Sequence, residues 1–173
     1  TSPEGRARTL LLLAETRELL AAQSVPDADG GSAVAWSQEE MSALGFYLLL
    51  VMEEKIPEAM RGRARWKFLN VAEQVGLYNA AEMVGKLRPI MADMPDEPAI
   101  AYMLAVHLAK LDAKEGLRAA HHAAAVARKA VKDPEHPHDP HGLLWRPPLL
   151  AAMCATALGH GPAAKKSVEA GLA

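Results

Sequence analysis

The residues from 133 to 141, Asp-Pro-Glu-His-Pro-His-Asp-Pro-His, have the types and spacing that could do chemistry. Three imidazoles (His136, His138, His141) and three carboxylates within nine residues are ligands for zinc, nickel or copper, and the prolines limit the segment's freedom. A resident metal site also needs ligands from a second element and an oriented outer shell. His121 and His122 stand on the preceding helical stretch, but as adjacent residues only one of them can face a given neighbour. The segment therefore reads first as a solvated connector, with metal handling through its three histidines as the rival. His107 falls on an apolar helical face and reads as a hydrogen-bonded core histidine. No cofactor is expected.

No catalytic signature is present: no glycine-rich nucleotide loop, no phosphate-binding Gly-Lys-Ser/Thr run, no His-Glu-x-x-His and no Gly-x-Ser-x-Gly. Gly85-Lys86-Leu87 lies in a helical pattern and lacks the hydroxyl residue of a phosphate loop. A non-enzymatic protein is expected, and an enzyme whose site is assembled only by folding is a third reading. Cys154, the single cysteine, excludes an intrachain disulfide and reads as a small buried apolar side chain. Arg61-Gly-Arg-Ala-Arg-Trp-Lys67 is the one basic cluster. It adjoins Glu53, Glu54 and Glu58 and belongs to no nucleic-acid motif, so it reads as a solvated or internally paired helix start.

Composition bounds these readings. Over 173 residues, 19 Lys plus Arg oppose 21 Asp plus Glu, and a net charge of −2 creates no field that gathers nucleic acid or an acidic membrane. Neither is expected as a partner. The apolar runs Leu10 to Leu13 and Leu44 to Met52 fall far short of the roughly 20 residues a bilayer demands. Glu15, Arg17 and Glu18 break up the first run, and the expected setting is the cytoplasm. Alanine and leucine dominate over β-branched and aromatic residues, which predicts an all-α chain forming a single helical domain over 1–173.

The elements follow in order. Ser2-Pro3 opens a helix to about Gln23, with Leu10, Leu13, Ala14, Leu20 and Ala21 as its apolar face. A loop-forming stretch from Ser24 follows. Ser37 and Glu40 then form a capping box, with Trp36 placed to staple on Met41. From Met41 to Met52 the helix is apolar nearly all round, so more than one neighbour should cover it, and a homodimer face is open to it. Pro57 ends or kinks it. Residues 1–60 are thus N-terminal helices, and 64–172 read as three hairpins: Trp66 to Val75 with a helix after Asn79, a pair within 99–133, and a pair around Gly159. In the central pair Ile100, Met103, Leu104, His107, Leu108 and Leu111 form one buried face. Leu117, Ala120, Ala124, Ala127 and Val131 form the other, with the polar stretch Asp112 to Gly116 as the turn. In the last pair Leu149, Leu150, Met153, Cys154 and Leu158 supply the first helix, and Ala164, Val168 and Leu172 the second.

Aligned on Ala81, Ala120 and Ala164, the hairpins recur at 39 and 44 residues. With Ala124 and Val168 four positions later, the Ala-Val-Lys-Asp-Pro ending at Ala130 to Pro134, and Leu158-Gly159 before Ala163-Ala164, residues 64–172 resemble a degenerate tetratricopeptide array. The repeat is longer than the family's, and most of the family's paired aromatics are absent. The resemblance implies right-handed stacking of antiparallel hairpins; a closed irregular bundle is the alternative. It also implies a groove lined by the first helix of each hairpin and binding of a peptide or helix of another protein, as a scaffold, adaptor, chaperone or assembly factor. Groove candidates are Lys67, Asn70, Gln74, Tyr102, Val106 and Lys110. Their spacing does not reproduce the family's peptide-terminus clamp, so that activity is not carried over.

Overall fold

Helix ends in this chain are set by residues a few positions away. The computed structural model describes residues 2–23, 38–52, 57–131 and 143–172. Among the described residues there are eight helices and no strand: α1 (Pro3–Gln23), α2 (Gln38–Met52), α3 (Glu58–Gln74), α4 (Ala80–Asp93), α5 (Pro98–Leu111), α6 (Ala113–Val131), α7 (Arg146–Ala157) and α8 (Gly161–Leu172). The fold is all-α. At the start of α1 the Gly5 N–H donates to Ser2 Oγ (3.1 Å), with Pro3 in the first turn, and α5 likewise opens on Pro98. Helices α3 and α7 close in one way. Gly76 (φ 68) and Gly159 (φ 74) take the left-handed conformation that costs a side-chain-bearing residue energy. Their N–H groups donate to Glu73 and Thr156, and the next N–H groups, of Leu77 and His160, donate to Ala72 and Ala155.

The chain divides into two compact units, Thr1–Asn79 and Ala80–Ala173. The division falls inside the first expected hairpin, so α3 and α4 belong to different units.

In the first unit α2 packs on both α1 and α3, around Ala7, Ala14, Ala43, Leu44, Tyr47, Leu50, Ala64, Val71, Ala72 and Val75. The expected inward face of α1 holds for Ala14, which is buried, and Leu10, which packs at the edge with Leu11, but Ala7 is buried in place of Leu13 and Leu20, which are exposed. Leu12 and Leu19 are exposed beside them, at 66% and 65%. The helix is apolar on two opposite sides, and periodicity alone cannot choose between them. Alanines win because helices approach more closely over small side chains. On α2 the inward face is Ala43, Leu44, Tyr47 and Leu50, and Leu48, Leu49 and Met52 turn outward. It begins directly after Ser37, whose pairing with Glu40 and the staple of Trp36 lie outside the described residues. Pro57 stands at the N-cap of α3 (φ −54, ψ 138), and α3 starts at Glu58, ahead of the expected Trp66.

In the second unit each helix packs on the next, and α5 also touches α7. Met83, Val84, Leu87 and Ile90 are the buried stripe of α4. On α5 the expected face holds for Ile100, Met103, His107 and Leu108, whereas Leu111, the last helical residue, is exposed. The expected five-residue turn is one residue long. Asp112 adopts an extended conformation (φ −151, ψ 117), and its Oδ1 accepts from the N–H groups of Lys114 and Glu115, both at 2.8 Å. So short a link presses the first turn of α6 onto the last turn of α5. A Cβ on Gly116 would lie 2.4 Å from the Cα of Ala109.

Candidate functional site

The first turn of α7 carries two prolines that cannot donate backbone hydrogen bonds and do not need to there. Pro147, Pro148, Ala151, Ala152, Cys154 and Ala155 face inward. Of the expected face, Cys154 is buried and Leu150 packs against the core, whereas Leu149 and Met153, also expected as core residues, are exposed. Small and cyclic side chains let α7 lie close to α6 and α8, and the bulkier ones are left outside. Trp145 at the N-cap has helical torsions (φ −105, ψ −31), so Trp145, Leu149 and Met153, four residues apart, form one outward stripe. They are 49%, 45% and 62% exposed. The Arg146 guanidinium carbon lies 5.5 Å from the centroid of the Trp145 ring, a cation–π contact that sets a positive charge beside the apolar stripe.

On α5 the residues least covered by neighbours include three of the groove candidates. Tyr102 and Val106 are half-buried and Lys110 is exposed, at four-residue intervals on one face. Tyr102 and Leu150 of α7 both pack against the cluster Ala101, Ala105, Ala120, Ala123, Val126 and Ala151. Tyr102 of α5 and Leu150 of α7 therefore share one cluster built mostly of alanines.

The other three candidates lie on α3, in the first unit: Lys67 and Asn70 half-buried, Gln74 exposed, all on one face. Lys67 Nζ stands 5.1 Å from the ring centroid of its neighbour Trp66. The basic cluster lies within α3, and Arg63 reaches Glu15 of α1 at 2.7 Å, an internal pairing.

His136, His138 and His141 lie outside the described residues. Among the described residues no three His, Cys, Asp or Glu side chains are grouped to hold a metal ion. His121 and His122 are both exposed on α6, and His107 is buried on the core side of α5. Cys154 is buried, and desolvation pushes its thiol above the ordinary 9.0, which disfavours the reactive thiolate. Among the described residues no helix is long and apolar enough to cross a membrane.

Compared with protein families, with characterised proteins and with solved structures, the chain shows no match.

The stripe on α7 is the candidate feature that reading the sequence missed. Its signal was present in the four-residue spacing of Trp145, Leu149 and Met153, interleaved with a complete second face of Pro and Ala. Counting the larger side chains as core concealed it.

Proposed function

We propose that the protein is a non-enzymatic helical adaptor that binds a segment of another protein across the open sides of α5 and α7, as a chaperone or assembly factor does. The observation that carries this reading is the outward stripe of Trp145, Leu149 and Met153 on α7, next to Arg146. Trp, Tyr, Met and Arg are the residue types enriched where proteins meet and where binding energy concentrates. Three exposed apolar residues in register, on a helix with a full complement of inward residues, have no role in the core.

The stacking proposed with it is tetratricopeptide-like. In support, α5 and α7 are the first helices of consecutive hairpins and touch each other, while α4 packs on α5 and α6 on α7. The cytoplasmic setting expected from the sequence belongs to the same proposal.

The test compares proteins captured from a native lysate by the wild type and by a Leu149→Glu/Met153→Glu variant, each with and without chelator. Both positions are exposed, so the variant should keep its helical circular dichroism. A partner retained by the wild type, insensitive to chelator and lost with the variant is the expected result. Identical capture by both proteins overturns the reading, and capture that requires metal favours the histidine-rich segment instead.

A further inference from the structure

The outward face of α6 gathers positive charge that its own folding does not call for. Ala120, Ala123, Ala124, Val126 and Ala127 are buried, while Lys114, Arg118, His121, His122, Arg128 and Lys129 are exposed. At 3.6 residues per turn these six fall on one side of the helix, opposite the alanines, in a row roughly 22 Å long. The helix carries one carboxylate, Glu115. Among the described residues, the ion pairs that reach α6 stand at its two ends: Glu115 with Arg88 of α4 (3.7 Å) and Lys129 with Asp96 (2.7 Å).

Local stability does not account for this row. Arg128 and Lys129 suit the C-terminal end of the helix dipole, but Lys114 and Arg118 stand near the N-terminal end, where a cation is unfavourable. They are also one turn apart, where like charges repel. That repulsion is offset when an anionic surface lies along the face.

From this charge complementarity we infer that the outer face of α6 docks an acidic helical segment of another protein. The inference goes beyond the adaptor reading and does not depend on it, since no residue of α7 takes part. Cations one turn apart advance by roughly 6 Å along the face, the same step as carboxylates four residues apart on a partner helix. The row is closed by Glu115 at one end and Asp96 at the other, so it suits an anion about four helical turns long. A nucleic-acid backbone would run on past both ends and meet these acids. Helix α6 also has no Phe, Tyr or Trp on which a base could stack.

The experiment uses the full chain and four fluorescein-labelled probes: a four-turn alanine-based helical peptide with glutamates along one face, its glutamine counterpart, a short duplex DNA and a single-stranded RNA. Anisotropy titrations at low salt should show the glutamate peptide binding at least about tenfold more tightly than the glutamine peptide, with the gap shrinking as salt is raised. Arg118→Glu/Arg128→Glu should weaken the glutamate peptide at least about tenfold, and Arg118→Gln/Arg128→Gln should weaken it less. Both arginines are exposed, so helical circular dichroism should be retained. Lys165→Glu/Lys166→Glu on α8 changes the net charge equally and should weaken binding less than about twofold, and Leu149→Ala/Met153→Ala should leave it unchanged. The inference is overturned if the glutamate peptide fails to bind or binds no better than the glutamine peptide, or if the α8 or α7 variant weakens it as much as the α6 variant does. Tighter binding of the DNA or RNA, lost in Arg118→Glu/Arg128→Glu, assigns the face to nucleic acid and overturns it as well. A gain of at least about tenfold in peptide affinity in Asp133→Asn/Glu135→Gln/Asp139→Asn identifies the occupant as the chain's own acidic segment and likewise overturns it. None of these outcomes touches the adaptor reading, which stands or falls on capture by the α7 stripe.

Discussion

Replacing Gly116 by alanine should loosen the second unit, although glycine within a helix is ordinarily a poor choice. The exchange alone favours the helix by about 1 kcal/mol, through lower chain entropy and better propensity. Against it, the new methyl carbon would sit 2.4 Å from Ala109 Cα, 2.6 Å from its Cβ and 2.8 Å from its nitrogen. Two of those three atoms are backbone, so no rotamer change relieves the clash, and α5 and α6 must part. Overpacking of this kind costs about 1 to 3 kcal/mol, and an obstacle made of backbone places it near the upper end. The expected net loss is about 1 to 2 kcal/mol. Gly85 is the control: it lies inside α4, with nothing within 4 Å of its would-be Cβ, so Gly85→Ala should stabilise by about 0.5 to 1 kcal/mol. Cys154 is buried in the same unit and reports its opening through the rate of thiol labelling at low urea. Labelling should accelerate about 5- to 30-fold in Gly116→Ala and slow about two- to fivefold in Gly85→Ala. If the two variants shift labelling in the same direction, the close approach of α5 and α6 is refuted.

Three further outcomes follow from the same packing. Native Cys154 should label far more slowly than in the urea-unfolded chain. Because its folded pKa is raised, the thiol's contribution to stability is present below the unfolded value and is lost as pH rises above about 9. The urea midpoint should therefore fall more steeply there for the wild type than for Cys154→Ala, and parallel pH curves would refute this. Asp112→Ala removes the acceptor of two N–H groups and should cost about 0.5 to 2 kcal/mol, a melting-point loss of a few degrees, while Asp112→Asn keeps most of it. Equal melting points for the two variants would count against the cap. In α1, Ala14→Leu should destabilise the first unit by about 1 to 3 kcal/mol by overpacking, yet Leu19→Ser should change it by no more than about 0.5 kcal/mol. Urea unfolding that ranks them in the opposite order would mean that the leucine face of α1 is the buried one.

The sequence alone determined the fold class and most of the punctuation. Ser2 and Pro3, Pro98, Gly76 and Gly159 stop or start helices where expected, because a helix end is satisfied by groups within a few residues of it. Asp112 was legible in principle as well, since Asp112 and Glu115 stand at capping-box spacing at the start of α6. Its polar neighbours disguised a one-residue link as a longer turn. What only the tertiary structure decided is which side of an ambivalent helix faces inward. Helix α2 buries Ala43, Leu44, Tyr47 and Leu50 and leaves Leu48, Leu49 and Met52 outside, while α1 and α7 each carry two apolar sides, one of small residues and one of larger ones, and burial of area alone favours the larger. Neighbouring helices settle on the small side because a short distance between axes brings many atoms into contact at once. That choice turned Leu149 and Met153 from expected core residues into a surface. Distances between helix axes are set by pairs of residues far apart in the chain, which no local pattern records.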